Sequence, residues 1–332
     1  MAVLYVASSE SLTGKTAICA GLGKQLLDKS RKVAYLKPAL PDKVDDGDAA
    51  FMKRVLTLDE PLTDICPVIK DKNNLPNEIK EACDKVSSGK DVVIVENINE
   101  LGIGEDSRKL AEALGAKVII VEAYPKQVSK AIDSYKTWGV LLLGIVSNKV
   151  PKGQLEQVRN ELLKQLNGTG INLLGVLPED RVLFTLTVGE LAENLKGKIL
   201  NSTEKSSDVI ENVMLGSMYV DSGLEYFGRR SDKAVIVKGE RPDMQMAALE
   251  TSTKCLVLTD NKKPIPAVLR KAEEKKVPLI QVKENLTATV TGIDGALGKS
   301  RFNQDGKLPH LMGIMTQHFN FAAVYQGLGL AG

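Results

Sequence analysis

The first thirty residues leave few choices of fold. Ala2 to Ala7 is an apolar run of strand length, Ser8-Ser9-Glu10-Ser11-Leu12-Thr13-Gly14-Lys15-Thr16 is a polar loop, and Thr16 to Lys29 carries Ile18, Leu22, Leu26 and Leu27 at helical spacing. Lys29 and Arg31 close that segment with charges that suit a helix C-terminus. A buried strand followed by a loop and a crossover helix is the first step of a parallel sheet covered on both faces. The pattern recurs: strands are predicted at Val3 to Val6, Lys32 to Leu36, Val92 to Val95, Lys117 to Val121, Leu141 to Val146 and Asn172 to Gly175. The fold class expected is α/β, a P-loop domain with a mostly parallel sheet flanked by helices, plus a smaller α/β domain.

A chain of 332 residues suits two domains. The polar, Ser-rich stretch GKILNSTEKSSD lacks an apolar period, so a linker is expected at 201–208, between a first domain at 1–200 and a second at 209–300. The second should hold strands at Ala234 to Val237, Cys255 to Thr259 and Pro278 to Val282, with helices near Met214 to Phe227, Pro242 to Ser252 and Ile265 to Lys276. The tail at 301–332, ending QGLGLAG, shows weak periodicity and suggests no role. The formal net charge of only +2 gives no sign of a dedicated nucleic-acid or anionic-membrane surface. Cys19, Cys66, Cys83 and Cys255 are scattered and only His310 and His318 could join them, which argues against zinc and for reduced thiols in the cytoplasm. No secretory leader or membrane-length apolar run is visible.

Gly14-Lys15-Thr16 is the end of the G-x-x-x-x-G-K-[ST] phosphate loop. In such a loop backbone N–H groups, here from Ser8, Ser9, Glu10, Ser11, Thr13 and Gly14, curl around phosphate oxygens at a helix N-terminus. Lys15 supplies charge and Thr16 a magnesium ligand. ATP and Mg2+ are the expected cofactors. The first glycine of the pattern is missing, its position falling on Ser9, and a Cβ there restricts the backbone.

The loop resembles that of dethiobiotin synthetase and its relatives, whose glycine sits one residue earlier, at Ser8 here. The resemblance continues in Tyr35-Leu36-Lys37-Pro38, Gly47-Asp48-Ala49, Glu96 at the end of VVIVE, Ser147-Asn148-Lys149-Val150 and Gly175-Val176-Leu177-Pro178. It implies that Asp48 and Glu96 join Thr16 around magnesium, that Lys15 and Lys37 serve as catalytic lysines, and that Asn148 and Pro178 lie at the nucleotide base. Asn97-Ile98-Asn99-Glu100 replaces the glycines that follow the family's carboxylate. Each residue has a plainer reading as well: Lys37 as a solvated strand-end charge, Asp48 as one of several carboxylates with Asp42, Asp45 and Asp46, and Asn148 as a turn former. Arg241 beside Pro242 reads as a helix-start charge or an anion contact.

A resemblance over nearly the whole chain is to the dethiobiotin-synthetase-like N-terminal region of phosphotransacetylases joined to the DRTGG domain. LLGVLPEDRVLFTLTVGELAENLKGKIL looks like its connecting segment, and GSMYVDSGLEYF with KAVIVKGERPDMQMAALETSTKCLVLTDN like the DRTGG domain. Gly239-Glu240-Arg241 and Thr259-Asp260-Asn261 are the nearest counterparts of the literal Asp-Arg-Thr-Gly-Gly. The acetyltransferase domain that follows in that family is not in this sequence. That absence and the departure after Glu96 favour a nucleotide-responsive regulatory protein with slow or no ATP hydrolysis, with a small-molecule effector or a protein of acyl metabolism as partner and homodimerisation expected from the relatives. Two other readings stay open: an ATP-dependent ligase acting on a carboxylate or carbamate, and a dimeric ATPase switch of the Min and ParA type. The switch proteins carry an extra loop lysine that Ser8 to Thr13 lacks.

Overall fold

The computed structural model describes residues 1–41, 47–71, 74–125, 128–216, 223–298, 302 and 304–330. Its contacts divide the chain into two units, one of residues 1–183 with 301–332 and one of residues 184–300.

The first unit begins with β1 (Ala2–Ala7), α1 (Lys15–Asp28), β2 (Val33–Leu36), α2 (Gly47–Val55), α3 (Leu62–Ile65) and α4 (Leu75–Val86). It continues with β3 (Val92–Glu96), α5 (Glu105–Ala113), β4 (Lys117–Ala123), α6 (Val128–Lys136), β5 (Leu142–Val150), α7 (Leu155–Leu166) and β6 (Leu173–Pro178). The six strands pair in parallel in the order β2-β3-β1-β4-β5-β6. β1 alternates between two cores: Leu4 and Val6 pack with Ile18, Leu22 and Leu26 of α1, Val3 and Tyr5 with Ile79, Leu110 and Trp138 on the other face. Both faces are therefore dry, as the unbroken apolar strands require. The chain runs outward from β1 to β2 and later to β4 on the opposite side, so the carboxyl ends of β1, β3 and β4 border a crevice at a switch point, where open α/β sheets bind ligands.

The second unit contains β7 (Leu186–Thr187), α8 (Val188–Asn194), β8 (Lys198–Ile199), β9 (Val209–Ile210), β10 (Asn212–Gly216), α9 (Gly223–Gly228), β11 (Lys233–Lys238), α10 (Pro242–Leu249), β12 (Thr253–Thr259), α11 (Pro266–Lys275), β13 (Leu279–Gln281) and α12 (Leu286–Gly298). Its sheet runs β10-β11-β12-β13-β8, with β8 antiparallel to β13. Of the helix expected from Met214 to Phe227, the part that is helical among the described residues is α9. Met214 lies in β10, which pairs with β11 over Asn212 to Gly216, and residues 217–222 fall outside the described set. A side chain at Gly216 would come within 2.9 Å of Val237 and 3.0 Å of Phe227, so close strand packing outweighs the helical spacing of the apolar residues here.

The boundary and the tail also differ from the sequence reading. The division falls near residue 184, and the segment expected as a linker is fixed in the second unit: Asn201 accepts from the Leu279 N–H at 2.9 Å and donates to the Val277 carbonyl at 2.9 Å. A polar side chain is standing in for strand pairing, which composition cannot distinguish from a solvated linker. The tail returns to the first unit as α13 (Leu308–His318) and α14 (Phe321–Gly327). Leu308, Leu311, Met315, Phe319 and Val324 are buried in the same core as Leu4 and Ile18. Asn320 N–H reaches the Leu174 carbonyl at 2.7 Å, continuing the sheet beyond β6. Among the described residues no helix is long and apolar enough to cross a membrane.

Candidate nucleotide-binding site

The loop after β1 is built by three devices, two local and one from a distant strand. Ser8, 1% exposed, donates its hydroxyl to the Glu10 carbonyl at 2.5 Å and turns the chain. Gly14 sits at φ 97 as the residue before α1, and its carbonyl accepts the first helical bond from Ile18 at 3.1 Å. Asn148 of β5 donates its amide to the Thr13 carbonyl at 2.8 Å, and a Cβ on Gly14 would lie 2.3 Å from that amide nitrogen. Gly14 is thus required twice, by its left-handed backbone and by the approach of Asn148.

The missing glycine has a structural answer. Positive φ values in the loop belong to Leu12 and Gly14, not Ser9, so the backbone places no glycine demand there. Ser9 instead donates to Glu122 Oε2 at 2.6 Å, and Tyr135 holds Glu122 Oε1 at 3.0 Å, fastening the loop to β4. Glu10 and Ser11 lie on the exposed side of the turn.

The ammonium of Lys15, at 4% exposure, lies 2.7 Å from Ser8 Oγ and 2.7 Å from Asn99 Oδ1. Burial lowers its pKa and Lys37 lowers it further, against the pull of Glu96. Beside it, five side chains converge, from α1, α2, β3 and the end of β2. Thr16 Oγ1 is 2.9 Å from Glu96 Oε1 and 3.4 Å from Asp48 Oδ2. Lys37, one residue past β2, contacts Asp48 Oδ2 and lies 3.1 Å from Glu96 Oε1. Tyr35 OH donates to Glu96 Oε2 at 2.6 Å. Burial pushes the Glu96 carboxyl up, but Lys37 and Lys15 outweigh it and hold it below the usual range. Asp48 is raised, because burial outweighs its contact with Lys37. Burial pulls Lys37 down, and its two carboxylates more than reverse this.

The structure therefore brings together Ser8, Ser9, Gly14, Lys15, Thr16, Lys37, Asp48, Glu96 and Asn148. Pro178 ends β6 opposite Val150, with Glu179 N–H on the Val150 carbonyl at 2.7 Å. No described contact joins Pro178 to the loop. Asp42, Asp45 and Asp46 lie outside the described residues. Asn99, Tyr35 and Glu122 were missed in the sequence. Asn99 sits in the segment that departs from the family's glycines, and there it supplies the partner of Lys15. Neighbouring Asn97 accepts from Tyr5 and donates to the Gly102 carbonyl at 2.6 Å, stiffening the same turn. The available signal was position: polar residues immediately after an apolar strand at a switch point. In the second unit Arg241 forks onto Asp243, with Nη2 2.7 Å from Oδ2, as a helix-start charge does.

Magnesium fits the donor set. Thr16, Asp48 and Glu96 offer hard oxygens, and Asp48 Oδ1 is buried without a hydrogen-bond partner among the described residues. Among those residues no group of three or more His, Cys, Asp or Glu is gathered as a metal site, so a cation here would need the Thr16 hydroxyl and oxygens from a ligand to complete its shell.

Residues 2–185 match the family described as AAA domain, and residues 190–296 match the DRTGG domain. The phosphate acetyltransferase of Nitratidesulfovibrio vulgaris is 22% identical, over 96% of this chain and 50% of its own length. That of Synechocystis is 19% identical, over 81% and 43%. The chain thus spans about half the length of the curated relatives it matches. Among solved structures, the MinD cell division protein of Aquifex aeolicus is 18% identical over 55% of this chain and 84% of its own, with a TM-score of 0.37. Because the match at residues 2–185 takes in more than half of the chain, this chain belongs to the AAA domain family, and a DRTGG domain follows it in the sequence.

Proposed function

We propose that the first unit binds ATP with magnesium and serves as a nucleotide-responsive regulatory element with slow or no hydrolysis. The observation that carries this reading is the buried Lys15 ammonium, held by two neutral oxygens at the mouth of a helix N-terminus. Phosphate oxygens are stronger partners for that ammonium than Ser8 and Asn99, and backbone N–H groups of the loop add to the same pull. In this reading Thr16, Asp48 and Glu96 hold the metal, Lys37 neutralises phosphate charge and Asn148 fixes the loop toward the base. Bound magnesium supplies charge neutralisation and orientation of the phosphates.

Slow turnover follows from how the carboxylates are engaged. Glu96 Oε2 is held by Tyr35 and its Oε1 faces the metal position beside Thr16, while both oxygens of Glu122 are held, by Ser9 and Tyr135. A carboxylate tied in this way is a poor base for an attacking water. The likeness to phosphate acetyltransferases supports a role in acyl metabolism, with a metabolite or a partner protein as the responding ligand and a homodimer as the expected assembly.

The test is calorimetric titration of ATP and Mg2+ into the full chain and into Lys15→Ala, with phosphate release followed in the same samples. Tight binding lost in the variant, with negligible release, supports the proposal. Steady release accelerated by one metabolite would favour a ligase, and no binding to the parent would remove the nucleotide reading.

A further inference from the structure

Two carboxylate oxygens within hydrogen-bond distance of Thr16 Oγ1, Glu96 Oε1 and Asp48 Oδ2, also hold the Lys37 ammonium. A positive charge of the protein's own is therefore seated among the donors that suit a divalent cation. We propose that Lys37 is a built-in counter-ion for this position, so that the free protein excludes divalent cations and admits one only together with nucleotide phosphates. The proposal rests on the nucleotide reading above and adds an order of binding to it.

The argument is one of charge and space. Within the cluster, two ammonium groups, Lys15 and Lys37, face two carboxylates, Asp48 and Glu96, and all four side chains are largely shielded from water. A doubly charged ion entering this balanced set alone would leave its charge uncompensated at low dielectric, and would also have to displace the Lys37 nitrogen from Asp48. Polyphosphate reverses both conditions: it brings negative charge of its own and offers Lys37 other oxygens. Glu96 stays in place during this exchange because Tyr35 anchors its second oxygen at 2.6 Å. Asp48 Oδ1, buried and unpartnered among the described residues, is the remaining donor that a metal would satisfy and Lys37 does not.

The experiment titrates Mn2+ alone, read by the loss of its free-ion electron paramagnetic resonance signal, into the full chain, Lys37→Met and Lys37→Gln, without nucleotide and then with ATP. The parent should take up Mn2+ only when ATP is present. The two variants, freed of the competing charge, should bind it without nucleotide about tenfold more tightly or better. Parent and variants within about twofold of one another without nucleotide would overturn the proposal, as would nucleotide-independent binding by the parent at micromolar Mn2+. Should neither variant fold, the melting temperature of the parent decides: unchanged by Mn2+ alone supports the proposal, and a rise with Mn2+ alone overturns it. Calorimetry with ATP keeps the two ideas apart, since a parent that ignores ATP sinks the nucleotide reading while the Mn2+ comparison still reports on Lys37.

Discussion

Met315 and Gly21 provide the sharpest test of the finding that the C-terminal helices belong to the P-loop unit. Met315, on α13, is fully buried, and a Cβ built on Gly21 of α1 would lie 2.1 Å from its Sδ and 3.0 Å from its Cε. Met315→Ala removes a side chain that fills the space above the phosphate-loop helix. The cost is about 3 kcal/mol, or roughly 6–12 °C in Tm for a unit of this size. Gly21→Ala gains about 1 kcal/mol of helix propensity but forces a methyl group against the sulfur, and overpacking costs about 1–3 kcal/mol. Its net effect should be neutral to destabilising. In the Met315→Ala background the clash disappears, because Leu311 Cδ2 at 3.6 Å is an ordinary contact. Gly21→Ala should then stabilise by about 1 kcal/mol. The cycle is read by tryptophan fluorescence on heating, since the single Trp of the chain, Trp138, is buried in the first unit. A Met315→Ala shift below about 2 °C, or the same effect of Gly21→Ala in both backgrounds, would refute the packing argument.

Leu12 holds φ 58 at 49% exposure, so Leu12→Gly loses little burial and relieves a left-handed backbone. The unfolded chain gains entropy in return, leaving a change between neutral and about 1 kcal/mol stabilising, and a thermal scan showing a loss above about 1 kcal/mol would contradict this. Asp180 accepts from Lys152 at 2.7 Å and from His310 of α13 at 2.9 Å. Burial pushes its carboxyl up, but these partners outweigh it and hold the pKa below the usual value. A depressed folded pKa stabilises above the unfolded value, about 3.9, and that contribution is lost as pH falls through the folded one. Asp180→Asn should therefore lower Tm near pH 7, with the gap to the parent closing toward about pH 3; a gap just as large at pH 3 would rule out the Asp180 carboxylate's charge as its source. Asn148→Ala removes the bond to the Thr13 carbonyl, about 1 kcal/mol and hence roughly fivefold in ATP affinity, measured by calorimetry. Unchanged affinity would separate Asn148 from the loop's function.

The sequence by itself determined what local physics enforces. Apolar runs such as VVIVE can be strands only if both faces are dry, and Gly14-Lys15-Thr16 between a strand and a helix leaves little alternative to an anion-binding turn. Lys37 and Asp48 stood out only through the family resemblance, and Glu96 also because it ends an apolar strand; their convergence is a matter of the fold. Tertiary structure decided everything that depends on partners far apart in the chain. It left Ser9 in a backbone conformation that needs no glycine and gave it a carboxylate on β4, and it gave Lys15 its partner in Asn99. It turned Asn201 from a linker residue into a pairing partner of β13, and carried residues 308–327 back onto α1, where Gly21 leaves room for Met315. Spacing along a chain reports which face of its own element a side chain occupies; which distant group fills the space opposite is settled only when the layers pack.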